Sequence, residues 1–155
     1  MAVVERHHAK ASTGLGVLAG YARSGRPFSG AVAVTVAHDS HNLIIAGGRD
    51  EDMLLAAGRL SALGGGLCAV KEGRLVAELA LPVAGLMSSE PVEEFIAHQK
   101  AFNEALRAAF EFELGIDPVL TLAFMALPVI PELRVTDRGL FEVTRGAFVS
   151  VEAAV

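Results

Sequence analysis

Five consecutive polar or ionisable side chains, His38-Asp39-Ser40-His41-Asn42, stand between two short, partly β-branched apolar runs at 31–37 and 43–46. Both runs read as strands. The polar segment is then held where two buried strands end, and loops carried on a rigid sheet hold function more often than the sheet does. Imidazole and carboxylate groups suit metal binding, proton transfer or hydrogen bonding to a heterocycle. In an extended segment His38 and Ser40 share one face and Asp39 and His41 the other, so spacing alone builds no ligand set. The alternative is a tight turn in which Asp39 and Asn42 bond to neighbouring backbone amides.

With 155 residues and 52% of them hydrophobic, the chain has the size of one domain, residues 1–155, and ample material for a core. The mean hydropathy of +0.46 is high for a free-standing domain, and a surface covered by another domain or subunit accounts for the surplus. No run of roughly 20 predominantly apolar residues is present, which argues against a membrane span. Glu5, Arg6, His7 and His8 fall where the apolar core of a secretory signal would begin. Together with a lone Cys68, these features predict a cytoplasmic protein. A net charge of -5, eight Phe and one Tyr without interleaved basic residues exclude a nucleic-acid polymer as partner.

The segment at 2–7 reads as a strand, whereas Gly14, Gly16 and Gly20 leave 15–21 as a strand or irregular stretch. Asp50 is a candidate N-cap with Glu51 and Asp52 in the first helical turn, followed by Met53, Ala57, Leu60 and Leu63 at helical spacing until Gly64. Strands at 66–71 and 74–81 flank the turn pair Glu72-Gly73, with Leu75, Ala77 and Leu79 on one face. A long helix is predicted from Ser88 or Ser89, with Pro91 in its first turn and Phe95, Phe102, Leu106, Ala109 and Leu114 on one stripe, to Gly115. A shorter helix is expected at 119–125. Pro128 and Pro131 then force an extended, irregular stretch, and strands near Arg134, Phe141 and 148–151 close the chain. The fold class is α+β: a mostly antiparallel or mixed sheet packed with about three to four α-helices in a single layered domain.

Other candidates have simpler readings. His7 and His8 are adjacent on a strand, so at most one can join a site shared with the polar segment. His98 falls on the polar side of the long helix and reads as solvated. Gly64-Gly65-Gly66 lacks the Lys-Ser/Thr of a phosphate loop and follows a helix, which makes it a helix stop. Cys68 sits among Leu67, Ala69 and Val70 and reads as core.

Ala37-His38-Asp39-Ser40-His41-Asn42 followed by Asp50-Glu51-Asp52-Met53 resembles the C-terminal domain of bacterial adenine deaminases. Leu63-Gly64-Gly65-Gly66, Leu81-Pro82-Val83-Ala84-Gly85-Leu86-Met87-Ser88, Leu127-Pro128-Val129-Ile130-Pro131-Glu132-Leu133 and Thr136-Asp137-Arg138-Gly139-Leu140 agree with it in the same order. Such enzymes belong to the amidohydrolase superfamily and hydrolyse adenine to hypoxanthine and ammonia. The resemblance implies that a divalent metal, manganese or iron, is held by a (β/α)8 barrel in polypeptide outside these residues. No metal ligand is therefore expected in this segment, whose partners would be that barrel, adenine and further copies of the enzyme as a homo-oligomer. On that footing the polar segment is expected to face the barrel mouth across a domain interface, with His38, Asp39 and His41 lining or buttressing the adenine site and Ser40 and Asn42 as substrate-binding candidates, and the 155 residues alone are expected to be inactive. Two alternatives stay open: an interaction or oligomerisation module, and a free-standing purine- or metal-binding domain. The loop at 9–27 departs from the family pattern, leaving Lys10 without an implied role.

Overall fold

A computed structural model describes residues 1–10, 12–23 and 28–153, so part of the 9–27 loop lies outside the described residues. Short β-branched and Ala-rich runs pair into a six-stranded sheet of order β2-β1-β4-β3-β5-β6. Its strands are β1 (Ala2–Val4), β2 (Thr13–Leu15), β3 (Ala31–Val34), β4 (Leu43–Gly47), β5 (Gly66–Lys71) and β6 (Arg74–Ala80). A second sheet holds β7 (Leu133–Thr136), β8 (Gly139–Glu142) and β9 (Ala147–Val149). Three helices, α1 (Asp50–Leu63), α2 (Val92–Ala109) and α3 (Pro118–Phe124), complete an α+β architecture, with a 3-10 turn at Val151–Ala153. Every pairing between these strands is antiparallel, so the mixed-sheet alternative falls away.

Strand alternation divides the core in two. Ala31, Ala33, Ile45, Cys68 and Val70 form one cluster with Ala56 and Leu60 of α1. Val32, Val34, Ile44, Ala46, Leu67, Ala69 and Leu79 face the other way and share a cluster with Phe102 and Leu106 of α2 and Leu122 of α3. Leu106 and Leu122 are fully buried, each contributing roughly 1.5–3 kcal/mol of transfer free energy.

The structure changes four local expectations. Arg49, not Asp50, occupies the α1 N-cap position, and no side chain caps there. Asp52 in the first turn is 1% exposed, because its carboxylate accepts the Gly73 N–H at 2.7 Å and so ties α1 to the β5–β6 turn. Helix α2 begins after Pro91 and ends at Ala109. The aromatic pull of the core explains the early end: Phe110 and Phe112 turn extended to pack with Tyr21 and Phe28, leaving Leu114 exposed. In β6 a bulge sets Ala69 opposite Ala77 and Val70 opposite Leu75, so the extra residue Val76 joins the core while Leu75 turns outward.

Register fixes what lies at each end of the main sheet. Val4 is opposite both Thr13 and Leu43, Val34 is opposite Ile44 and Leu67, and Gly66 is opposite Ala80. The connections 35–42, 64–65 and 81–88 therefore emerge at one edge of the sheet. The turn at Glu72-Gly73 and the start of α1 lie at the opposite edge.

Candidate functional site: a polar turn and its groove

Residues 38–42 form a turn, not an extended strand continuation. The His41 N–H donates to the Ala37 carbonyl at 2.7 Å, and the Ala37 N–H donates to His41 Nδ1 at 3.4 Å. His41 adopts φ 50, a left-handed conformation unfavourable for a side chain bearing Cβ, and hydrogen bonds on both sides of the residue hold it there. Its carbonyl accepts Arg6 Nε at 2.6 Å. Arg6 also donates through Nη2 to the Ala84 carbonyl at 2.8 Å, joining the polar turn to the 81–88 loop.

The turn is closed by groups other than those expected. Ser40 Oγ accepts the Asn42 N–H at 3.4 Å. The Asn42 side chain is buried and donates to Asp137 Oδ1 at 3.4 Å, while Asp137 Oδ2 accepts Ser12 Oγ at 2.9 Å. Asp137 thus pins the β7–β8 turn to both the polar segment and Ser12, the residue immediately before β2. His7 Nε2 donates to the Ser40 carbonyl at 2.8 Å, whereas His8 turns away to Glu5. His38 packs its ring against Phe124 with centroids 4.8 Å apart. Asp39 and Ser40 are exposed.

A groove of about 540 Å³ runs beside this turn, bounded by Asp39 and Ser40, by Pro128 and Val129, and by Arg138 and Phe148. Its lining joins the polar segment to two blocks that begin at 127 and 136, some 90 residues further along the chain, with Phe141 and Phe148 beside them. The glycine block meets the same edge: Gly65 approaches Gly85 so closely that a Cβ on it would fall 2.4 Å from the Gly85 Cα. Thr35 lies between them, its hydroxyl accepting the Gly66 N–H at 2.8 Å and donating to the Gly85 carbonyl at 2.7 Å. Only the Asp50-Glu51-Asp52-Met53 block goes to the far edge, where Asp52 holds a turn.

Arg6, Thr35, Ser12 and Asp137 organise the site, yet sequence reasoning assigned none of them a part in it. The signal within the sequence was the placement of Asp137 inside a block that carried the family resemblance.

The donor set does not suit a divalent metal. Among the described residues no group of three or more His, Cys, Asp or Glu side chains is placed to hold an ion. His38 is turned to a phenyl ring and His41 Nδ1 accepts a backbone amide, so the imidazoles do not converge with Asp39.

The antiparallel sheet, with helices on both faces and a polar loop cluster at one edge, defines an α+β domain whose site is made of loops from distant parts of the chain. The family model that matches residues 1–147 is the adenine deaminase C-terminal domain, and the chain belongs to that family. It is 42% identical over 153 residues to adenine deaminase 2 of Latilactobacillus sakei, covering 99% of this chain and 26% of that protein. Against the adenine deaminase of Nitratidesulfovibrio vulgaris it is 48% identical over 154 residues, covering 97% of this chain and 26% of the relative. The adenine deaminase of Moorella thermoacetica is 49% identical over 145 residues, with coverages of 92% and 23%. The chain therefore spans about a quarter of the length of these relatives.

Among the described residues no helix is long and apolar enough to cross a membrane.

Proposed function

We propose that residues 1–155 are the C-terminal domain of a metal-dependent adenine deaminase of purine salvage, cytoplasmic and homo-oligomeric, and that the domain packs on a barrel elsewhere in the polypeptide. In the reaction a water oxygen bonds to the purine carbon bearing the amino group, the carbon–nitrogen bond breaks, and ammonia leaves with hypoxanthine as product. A divalent metal, manganese or iron, held by the barrel would supply an activated water there. This domain supplies shape: Asp39 and Ser40 face the adenine site, His38 and His41 set the backbone that presents them, and Asn42 fixes the turn through Asp137. Because this reading places the metal in the barrel, the 155 residues alone are expected to be inactive.

The observation that carries this reading is convergence. Five sequence blocks meet at one sheet edge and leave the Asp39 carboxylate exposed there, an arrangement that a merely structural turn does not require. The test replaces His38, Asp39 and His41 by Ala in the full-length enzyme. A fall in kcat/KM on the order of 10- to 100-fold is expected from lost positioning, and unchanged kcat and KM would count decisively against it.

A second reading, an interaction module without part in the chemistry, is favoured by Val92 and Ile96, which are 62% and 57% exposed on the first turns of α2. Sedimentation of the chain alone and mixed with a separately expressed barrel separates the two. Adenine binding or metal content in the chain alone would instead identify a free-standing binding domain.

A further inference from the structure

We infer that the groove beside Asp39 is the slot by which this domain docks on the catalytic part of its own polypeptide, with Arg138 pairing there with a carboxylate of that part. The inference rests on the reading above and identifies the partner of the same site.

Charge is the first ground. Arg59 pairs with Glu78 at 2.7 Å and Arg145 with Glu142 at 3.2 Å. Arg138 has no carboxylate partner among the described residues. Its guanidinium lies instead 5.3 Å from the centre of the Phe148 ring, and its backbone N–H is held by Thr136 Oγ1 at 3.1 Å. A guanidinium stacked on an aromatic face has lost part of its rotamer freedom and presents its planar donor fork ready for a bidentate anion.

The walls are the second ground. Val129 is 70% and Phe148 48% exposed, and both line the groove with Pro128. Such an apolar strip next to a preset cation fits a protein segment that inserts an apolar side chain and sets an acidic one beside it.

The length of the relatives is the third. About three-quarters of each lies outside the matched region, so on the reading above a covalently linked partner surface is present at high effective concentration. A groove of modest intrinsic affinity then suffices.

The experiment places a photoreactive benzoylphenylalanine at Val129 in the full-length polypeptide and maps the cross-link by mass spectrometry. The expected product is intramolecular, to a catalytic-part peptide containing Asp or Glu. Arg138→Glu should lower the yield roughly tenfold and Arg138→Lys less, since truncating or reversing one partner of a desolvated pair mainly raises dissociation. Near-UV circular dichroism confirms that each variant is folded. Cross-linking to a second copy, absence of any product, or a yield indifferent to Arg138→Glu overturns the assignment. Unchanged kinetics in the His38, Asp39 and His41 variants together with an intact cross-link would remove the site-shaping role and leave docking in place.

Discussion

The Thr35 hydroxyl donates to the Gly85 carbonyl at 2.7 Å across 50 residues of chain, and this one bond joins the end of β3 to the loop after β6. The hydroxyl also accepts the Gly66 N–H at 2.8 Å, and Thr35 is 3% exposed. Replacing it with Val keeps the shape while leaving a buried acceptor and donor short of a partner. Thr35→Val should cost about 1–3 kcal/mol in urea unfolding. A midpoint equal to that of the unmodified chain would show that water or relaxation replaces both bonds.

Asp137 governs the small sheet in a comparable way. Its two oxygens accept from Asn42 and Ser12, and Asn42 is 4% exposed. Asp137→Ala leaves the Asn42 amide buried without its acceptor, so a loss of roughly 1–3 kcal/mol is expected. Hydrogen exchange localises the effect: amides of β7 and β8 should lose protection while those of β3 and β5 keep theirs. Uniform loss across both sheets contradicts the pinning role.

The Glu5 carboxyl predicts acid sensitivity at the start of the site. Burial alone would raise it, but the backbone N–H groups of His7, His8 and Lys10 and the His8 ring outweigh that effect and hold it at about 2. A carboxyl lowered in the folded state stabilises the fold above its unfolded value and loses that contribution as pH falls. The loss should fall between about 4.5 and about 2, and Glu5→Gln should flatten stability against pH in that window. A Gln variant with the same acid slope removes Glu5 as the cause.

Cys68 is fully buried, and burial, with Glu78 adding and Arg59 opposing, pushes its thiol up to about 12. The thiolate is the reactive form, so the folded chain should resist iodoacetamide in mildly alkaline buffer and react at once in denaturant. Stoichiometric labelling of the native protein at the rate of a free thiol would contradict the burial of β5.

Much of the architecture is local and so was readable. Gly64 ends α1 in a left-handed conformation at φ 77, and α3 lies within one residue of its expected bounds. Glu72 and Gly73 make the β5–β6 turn with both φ values positive, and β5 has the predicted bounds. Expectations failed where tertiary contacts outweighed propensity. Helix α2 stops when Phe110 and Phe112 leave it for an aromatic cluster with Tyr21 and Phe28, and the β6 alternation breaks at one bulge.

By itself the sequence determined the kinds of elements, the turns between them and the family, because period, glycine placement and motif blocks are written within a few residues of one another. Only the tertiary structure decided which polar groups meet. Ser12 reaches Asp137 across 125 positions and Arg6 reaches Ala84 across 78, and nothing local encodes such pairings. Antiparallel register carries the loops at 35–42, 64–65 and 81–88 to one end of the main sheet and sends the acidic start of α1 to the other, while the packing of β7 and β8 on β1 and β2 brings Asp137 to the same place.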